Sequence, residues 1–359
     1  MILQRYILRE LIGSFLFAFF AVLAVCLIGT MFQVIRAFPG LGLDLVARAL
    51  PLTVGSIATW VILVGACTSS TLVYARLAAE NEITAMRACG IHAWRIVAPA
   101  VLLGLLLVGA AYPLNEVVVP NMRHKKRLSF REAIVYQLGH PPAGSQDFKI
   151  GLMRLTYTDY RDGSMVGPTL SKYGVSKKTL EHKLVMECFA PSGTIVVQGN
   201  QLRIVMTKPF GWEMNEKGQQ EQFSAGNEVT IEIPPEEIEN APRQLVDQPA
   251  EELWRRLFAA KDRSVRNPIL LILHTRYAAS LAPMLLVLVA MPIGILVQRG
   301  SRLAGLGAAL PPLLLYFVLY FVFQGLGDKN RVSPLLAAYA PDLFLGALSS
   351  VLLWRIAQR

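Results

Sequence analysis

The sequence predicts an α-helical polytopic membrane protein of six transmembrane helices, with an all-β domain inserted after the third. Three observations predict it. Only 17% of the 359 residues are charged and 53% are hydrophobic, where soluble domains carry about 25% charge. The mean hydropathy is +0.44. Long apolar runs come in two groups of three, and the stretch between the groups has short alternating segments and turn residues instead.

Met1–Glu10 is a short basic amphipathic start, and Leu11–Ile35 follows without a charge. At 1.5 Å per residue the run crosses a core of about 30 Å with some tilt. It is too long for a secretory leader and no A-x-A site follows, so it reads as a retained anchor. Ala49–Tyr74 and Ile96–Leu114 are the second and third spans. Pro99 and several glycines in the third suit a packed bundle rather than a lone anchor.

Between these spans lies Arg76–Ile91, R-L-A-A-E-N-E-I-T-A-M-R-A-C-G-I. It has helix grammar. Asn81 is placed to cap, Glu82 lies in the first turn, Arg87 in the last, and Gly90 can terminate. Ile83 and Met86 share a face, with Cys89 at its edge. A short amphipathic helix between spans must lie at the membrane surface. It is either a connecting loop or a docking helix that passes motion from a partner to the spans.

From Asn121 to about Pro249 the chain reads as β. Lys183–Phe189, Thr194–Gln198, Leu202–Thr207 and Val229–Ile233 are predicted strands, with Gly199-Asn200 as a tight hairpin. Asp247–Lys261 looks helical, with Leu253, Trp254 and Leu257 on its apolar side. Tyr277–Gln298, Leu303–Gly327 and a helix from Ser333-Pro334 to about Trp354 are the last three spans. The domain division is therefore 1–120 (three spans, with a surface helix at about 80–90), 121–250 (β) and 251–359 (linker helix and three spans). Asp342 is the one acid placed well inside a predicted span. It is a functional candidate by default, with an interfacial or bundle-bonded acid as the plainer reading.

With both termini inside, the inner short loops carry Arg5, Arg9, Arg76, Arg87, Arg95, Arg299, Arg302, Arg355 and Arg359. The outer ones carry Arg36, Arg48, Lys329 and Arg331. That bias puts the β domain outside. The cluster Arg123, His124, Lys125, Lys126 and Arg127 beside the third span is a solvated domain edge or a contact with anionic lipid. The formal charge of +10 fits head-group contact, and no RNP pattern or finger spacing points to nucleic acid. Cys26, Cys67, Cys89 and Cys188 form no disulfide framework. Catalytic signals are absent: there is no G-x-x-x-x-G-K-[ST], G-x-S-x-G or H-E-x-x-H, and no histidine pair at metal spacing. No cofactor, metal or catalytic residue is expected.

Taken together, E-N-E-I-T-A-M-R-A-C-G, the R-Y-I-L-R-E of Arg5–Glu10, the P-M-L-L-V-L-V-A-M-P-I-G of Pro283–Gly294, Arg299-Gly300-Ser301-Arg302, and the L-A-A-Y-A-P-D of Leu336–Asp342 resemble the LptF/LptG family of lipopolysaccharide export permeases. The E-I-x-x-M-x-A-C-G wording is closer to LptF. The resemblance covers nearly all the membrane part and implies a half-permease of an ABC transporter in the bacterial inner membrane. It implies a second, LptG-like permease, an LptB-like ATPase dimer docked on the surface helix, and an LptC-like bitopic protein. The β domain would be a periplasmic jellyroll that hands lipopolysaccharide onward. The implied ATPase-coupling residues are Glu80, Glu82, Ile83, Met86 and Arg87. The implied lipid-contacting residues are Arg36, Gln33 and Phe32, with Gln33 standing where the family has a second basic residue. Asp342 stands where the family commonly has Asn.

Two other classes are open. An ion-driven secondary transporter predicts paired intramembrane acids and inverted repeats, and the sequence offers one acid and no repeat. A membrane-anchored partner-binding protein needs only one span. A membrane enzyme has no nucleophile or metal set to work with.

Overall fold

The computed structural model describes residues 2–37, 43–139, 144–150, 153–161, 163–175, 182–198, 201–214, 219–224, 229–233, 244–260, 262–297 and 302–358. Among the described residues, six helices are long and apolar enough to cross a membrane, as predicted. They belong to α1 (Ile2–Ala37), α2 (Leu43–Ala79), α4 (Ala93–Pro113), α7 (Arg263–Leu296), α8 (Arg302–Asp328) and α9 (Pro334–Gln358). Two short helices stand apart, α3 (Glu82–Ala88) and α6 (Ala250–Ala259). The third span does not stop at Leu114. A π turn, Leu114–Val118, joins α4 to α5 (Val119–Gly139), with Val119 N–H bonded five residues back to Leu114 O. Pro120 explains the widening, because its ring cannot sit over the carbonyl of residue 116 in an α ladder. The polar stretch therefore opens as helix, and its first strand begins at Gln146.

The chain forms two compact units. The first comprises Met1–Thr30, Pro51–His124 and Arg243–Arg359. One of its cores joins Ile7 and Leu11 of α1, Tyr74 and Leu77 of α2, Ile96 and Leu103 of α4, and Val287 and Met291 of α7. A second joins Leu63 of α2, Leu286 of α7, Tyr316 of α8 and Leu345 of α9. Buried hydroxyls tie helix to helix, as intramembrane polar groups must find internal partners. Tyr74 donates to Ile96 O at 2.8 Å and Ser70 to Val287 O at 2.9 Å. α2 and α7 approach so closely that a Cβ on Gly294 would lie 2.6 Å from Thr71 O.

The second unit comprises Met31–Leu50 and Lys125–Pro242. It contains two antiparallel sheets, β1-β2-β5-β6-β9-β10 and β11-β8-β7-β4-β3. The strands are β1 (Gln146–Ile150), β2 (Met153–Tyr157), β3 (Asp159–Arg161), β4 (Ser164–Val166), β5 (Thr169–Val175), β6 (His182–Phe189), β7 (Ser192–Gln198), β8 (Gln201–Thr207), β9 (Phe210–Met214), β10 (Gln220–Ser224) and β11 (Val229–Ile233). Successive strand pairs alternate between the sheets. Phe148, Leu155, Tyr157, Met165, Leu170, Cys188, Ile204 and Met206, drawn from both sheets, make one core, so the sheets stack as a sandwich. The predicted hairpin stands: Gln198 pairs with Gln201 across two residues, which themselves lie outside the described residues. Burial pushes the Tyr157 hydroxyl up to about 12 and raises the Cys188 thiol. At the surface, the hydrogen bond from Arg154 holds Asp147 below the usual carboxylate range.

Candidate functional site

The surface helix is seven residues long, and Arg76–Ala79 belong to α2. Asn81 does not cap it through its side chain. It takes φ 58°, left-handed, and makes no side-chain cap bond. Asn tolerates this conformation better than other non-glycine residues. Its N–H closes α2 on Ala78 O at 3.1 Å, and its carbonyl opens α3 by accepting from Ala85 N at 2.9 Å. The predicted terminator is in place. Gly90 has φ 75°, Gly90 N–H reaches Arg87 O at 2.9 Å and Ile91 N–H reaches Met86 O at 3.0 Å. These are the two bonds of a Schellman motif, with Ile91 and Met86 in the same apolar cluster. His92 then opens α4, its ring nitrogen accepting from Trp94 N at 3.2 Å.

The two faces of α3 separate as the spacing predicts. Ile83 and Met86 are buried among Ile7, Tyr74, Leu77 and Ile96, so α3 sits on α1, α2 and α4. Glu80, Thr84, Ala85 and Cys89 are exposed, and Glu82 is half-buried. Arg87 is not a free surface charge. Its guanidinium donates to Ile356 O at 3.1 Å, a carbonyl in the last turn of α9, where a cation meets the negative end of the helix dipole. Arg76 donates to Tyr6 Oη at 3.2 Å and pairs with Glu10 at 2.6 Å and Glu80 at 3.9 Å. α3 is thus bonded to α9 through Arg87 and shares an apolar core with α1, to which Arg76 of α2 is also tied. Sequence spacing finds the buried face, but it has no signal for a bond between residues 87 and 356.

The lipid-contacting candidates lie near the other end of α1. Phe32 is 60% exposed and Gln33 is exposed. Arg36 falls in the last turn of α1, and its side chain lies outside the described residues. α1 shows little of itself to the bundle: Phe17, Phe20, Val25 and Ile28 are exposed along its length.

A polar cluster inside the first unit went unread in the sequence. Thr59, Asn115 and Ser280 form a buried chain, with Asn115 Nδ2 donating to Ser280 Oγ at 2.9 Å and Ser280 donating to Arg276 O at 2.9 Å. The Arg276 guanidinium is buried and donates to Val246 O at 2.8 Å. Glu116 is buried, its carboxylate has no hydrogen-bond partner among the described residues, and it lies within electrostatic reach of Arg276. Asp342 is therefore not the only buried acid of the first unit. The two differ in surroundings. Asp342 is also buried with neither oxygen bonded, and its electrostatic neighbours are Tyr316 and Tyr339. Among the described residues Asp342 makes no hydrogen bond within the bundle, against one plain reading of it. Arg123, Arg276, Gln324, Trp60 and Tyr320 line a pocket of about 130 Å³ beside this cluster. Among the described residues no group of three His, Cys, Asp or Glu side chains is placed to hold a metal.

Among the described residues, six helices fit to cross a membrane, an antiparallel β region inserted in the chain after the third, and a short helix packed on three of the six define a polytopic membrane subunit. The family model for the lipopolysaccharide export system permease LptF/LptG matches residues 5–355. The chain belongs to that family. It is therefore a permease component of an ABC transporter for lipopolysaccharide export, a transport subunit rather than an enzyme, and a multi-pass inner-membrane protein. No curated protein sequence matches it.

Proposed function

We propose that this chain is the LptF-like half of the permease, paired with an LptG-like half, and that a separate LptB-like ATPase dimer drives it through α3. The lipid extracted from the inner membrane passes to an LptC-like protein and onward over a periplasmic bridge, with the β sandwich on that side and both termini in the cytoplasm. The surface-helix wording E-I-x-x-M-x-A-C-G supports the LptF assignment. Phe32, Gln33 and Arg36 are the proposed lipid contacts, Arg36 because a planar guanidinium suits a phosphate.

One observation carries the coupling role. α3 is seated on α1, α2 and α4 by Ile83 and Met86 and held to the end of α9 by Arg87, while Glu80 and part of Glu82 remain outside. A connecting loop would need no such seat. In this reading Ile83, Met86 and Arg87 transmit, and Glu80 and Glu82 meet the ATPase. Glu82→Lys leaves the seat intact and reverses the outer charge, so a basic partner surface is repelled. Co-purification of the ATPase with Glu82→Lys should fall at least several-fold at unchanged membrane level. Full recovery with undiminished lipid-stimulated hydrolysis returns α3 to the status of a connector.

A further inference from the structure

We infer that the end of the bundle formed by α6, the start of α7 and the α8–α9 turn is a docking surface for the anionic phospholipid head groups of the surrounding bilayer. Three observations meet there. The first is an interfacial helix. α6 buries Leu253 and Leu257 against Ile269 and Leu273 of α7, and Trp254 Nε1 donates to Tyr277 Oη at 3.2 Å. Its remaining faces carry Glu251 and Glu252 paired with Arg255 and Arg256, and beside them Phe258, which stacks on Trp254 and is 83% exposed. An indole and a phenyl ring at a span end match the aromatic belt of membrane proteins, and an amphipathic helix there lies in the interface plane.

The second is charge. Arg263 and Arg266 open α7, and Lys329 and Arg331 flank the α8–α9 turn. Asn267 Nδ2 bonds Asn330 Oδ1 at 3.0 Å, which brings the two segments together. All four cations are exposed, and none has an ion pair among the described residues. Asp262 and Asp328 lie at the same end, so the patch keeps a surplus of two positive charges. Exposed cations at the end of apolar helices are placed at phosphate depth, where each Lys or Arg favours anionic lipid. The third is the exposed apolar side chain among them, Val265 at 50%, which with Phe258 would enter the acyl boundary while the guanidiniums stay at the phosphates. A free anion would need the cations alone; the aromatic and aliphatic companions commit the surface to lipid. The proposal rests on the six spans and on no part of the coupling mechanism.

The test is native mass spectrometry of the full chain released from nanodiscs of phosphatidylcholine and phosphatidylglycerol in equal parts, with no lipopolysaccharide present. The wild type should retain phosphatidylglycerol in preference to phosphatidylcholine. The Arg263→Gln/Arg266→Gln/Lys329→Gln/Arg331→Gln variant, all at exposed sites, should lose about tenfold of that preference at an unchanged melting temperature. Phe258→Ser should weaken retention of both lipids and leave the preference standing. Equal retention of the two lipids by the wild type overturns the proposal. So does a fourfold variant that discriminates like the wild type, and so does inorganic phosphate that displaces phosphatidylglycerol at equal concentration.

Discussion

Arg276 and Glu116 show how a single buried charge constrains the bundle. Each is buried in the first unit, and each lies within electrostatic reach of the other. Removing one member of such a set strands the other in a low-dielectric interior, which costs about 3–5 kcal/mol, whereas removing both costs far less. Arg276→Gln should therefore lower stability by about 3 kcal/mol, and adding Glu116→Gln should recover part of the loss. A double-mutant cycle on unfolding in detergent measures this, and strict additivity of the two losses would show that the groups do not compensate each other. At the surface, Asp159 accepts from the N–H groups of Gly144 and Tyr160, both at 2.9 Å, and from Arg161. The two backbone bonds, with Arg161 next, hold its carboxyl below the usual range. A depressed carboxylate contributes stability above its unfolded value of about 3.9, and that contribution fades as pH falls through the lower folded value. Asp159→Asn should thus be less stable than wild type at neutral pH, and the gap should close below about pH 4. Urea midpoints followed at Trp212, in a background lacking the other tryptophans, report it. A gap that is constant down to the acid end would assign the effect to lost packing.

At the scale of elements, α3 owes its shape to both of its ends. Gly90 is left-handed and nothing lies within 4 Å of the place a Cβ would take, so the cost of a side chain there is backbone strain alone. Gly90→Ala should cost about 1 kcal/mol, and Gly90→Asn should cost less because Asn tolerates the same region. Thermal melts of the two variants decide this; equal losses would mean that the Schellman turn is not what holds the residue. The spans and α3 were legible in the sequence because apolar runs and the Ile83/Met86 spacing are local. So was the β7–β8 hairpin, where Gly-Asn stands between two alternating segments. Strands β1 to β5, β9 and β10 were not. β3 and β4 have three residues each, too few to show a period, β9 carries a strand-weakening glycine, and β10 is mostly polar and exposed. Their pairing is settled by partners distant in the chain. The extension of the third span through the π turn was missed for a related reason: Asn115 and Glu116 end the apolar run, yet both are buried against helices the sequence lists far away. Of the candidate site, the buried face of α3 could be read. The Arg87–Ile356 bond and the Thr59–Asn115–Ser280 chain could not, since each joins residues more than fifty positions apart.

For the whole molecule the open quantity is orientation, and the distribution of charge decides which side faces which compartment. The ends of the helices fall into two sets. Met1–Glu10, α3 with its flanks, the α7–α8 turn and the end of α9 share one side if the six helices alternate, and that side holds nine of the short-loop arginines and lysines against four on the other. The structure adds internal links within the first set. Arg76 reaches Tyr6 and Glu10, and Arg87 reaches Ile356, so the start of α1, the end of α2, α3 and the end of α9 lie at one end of the bundle by direct contact rather than by counting spans. Basic residues in short loops are retained on the cytoplasmic side. Ser145, just before β1, lies beyond the end of the third span, and Gln358 lies in the last turn of α9; both are exposed. In a background with Cys26, Cys67, Cys89 and Cys188 replaced, a cysteine at position 145 should react with a membrane-impermeant maleimide in intact spheroplasts. A cysteine at position 358 should react only in inverted vesicles. Labelling of both from the same side would break the alternation of six spans and put the β unit on the same side as the end of α9.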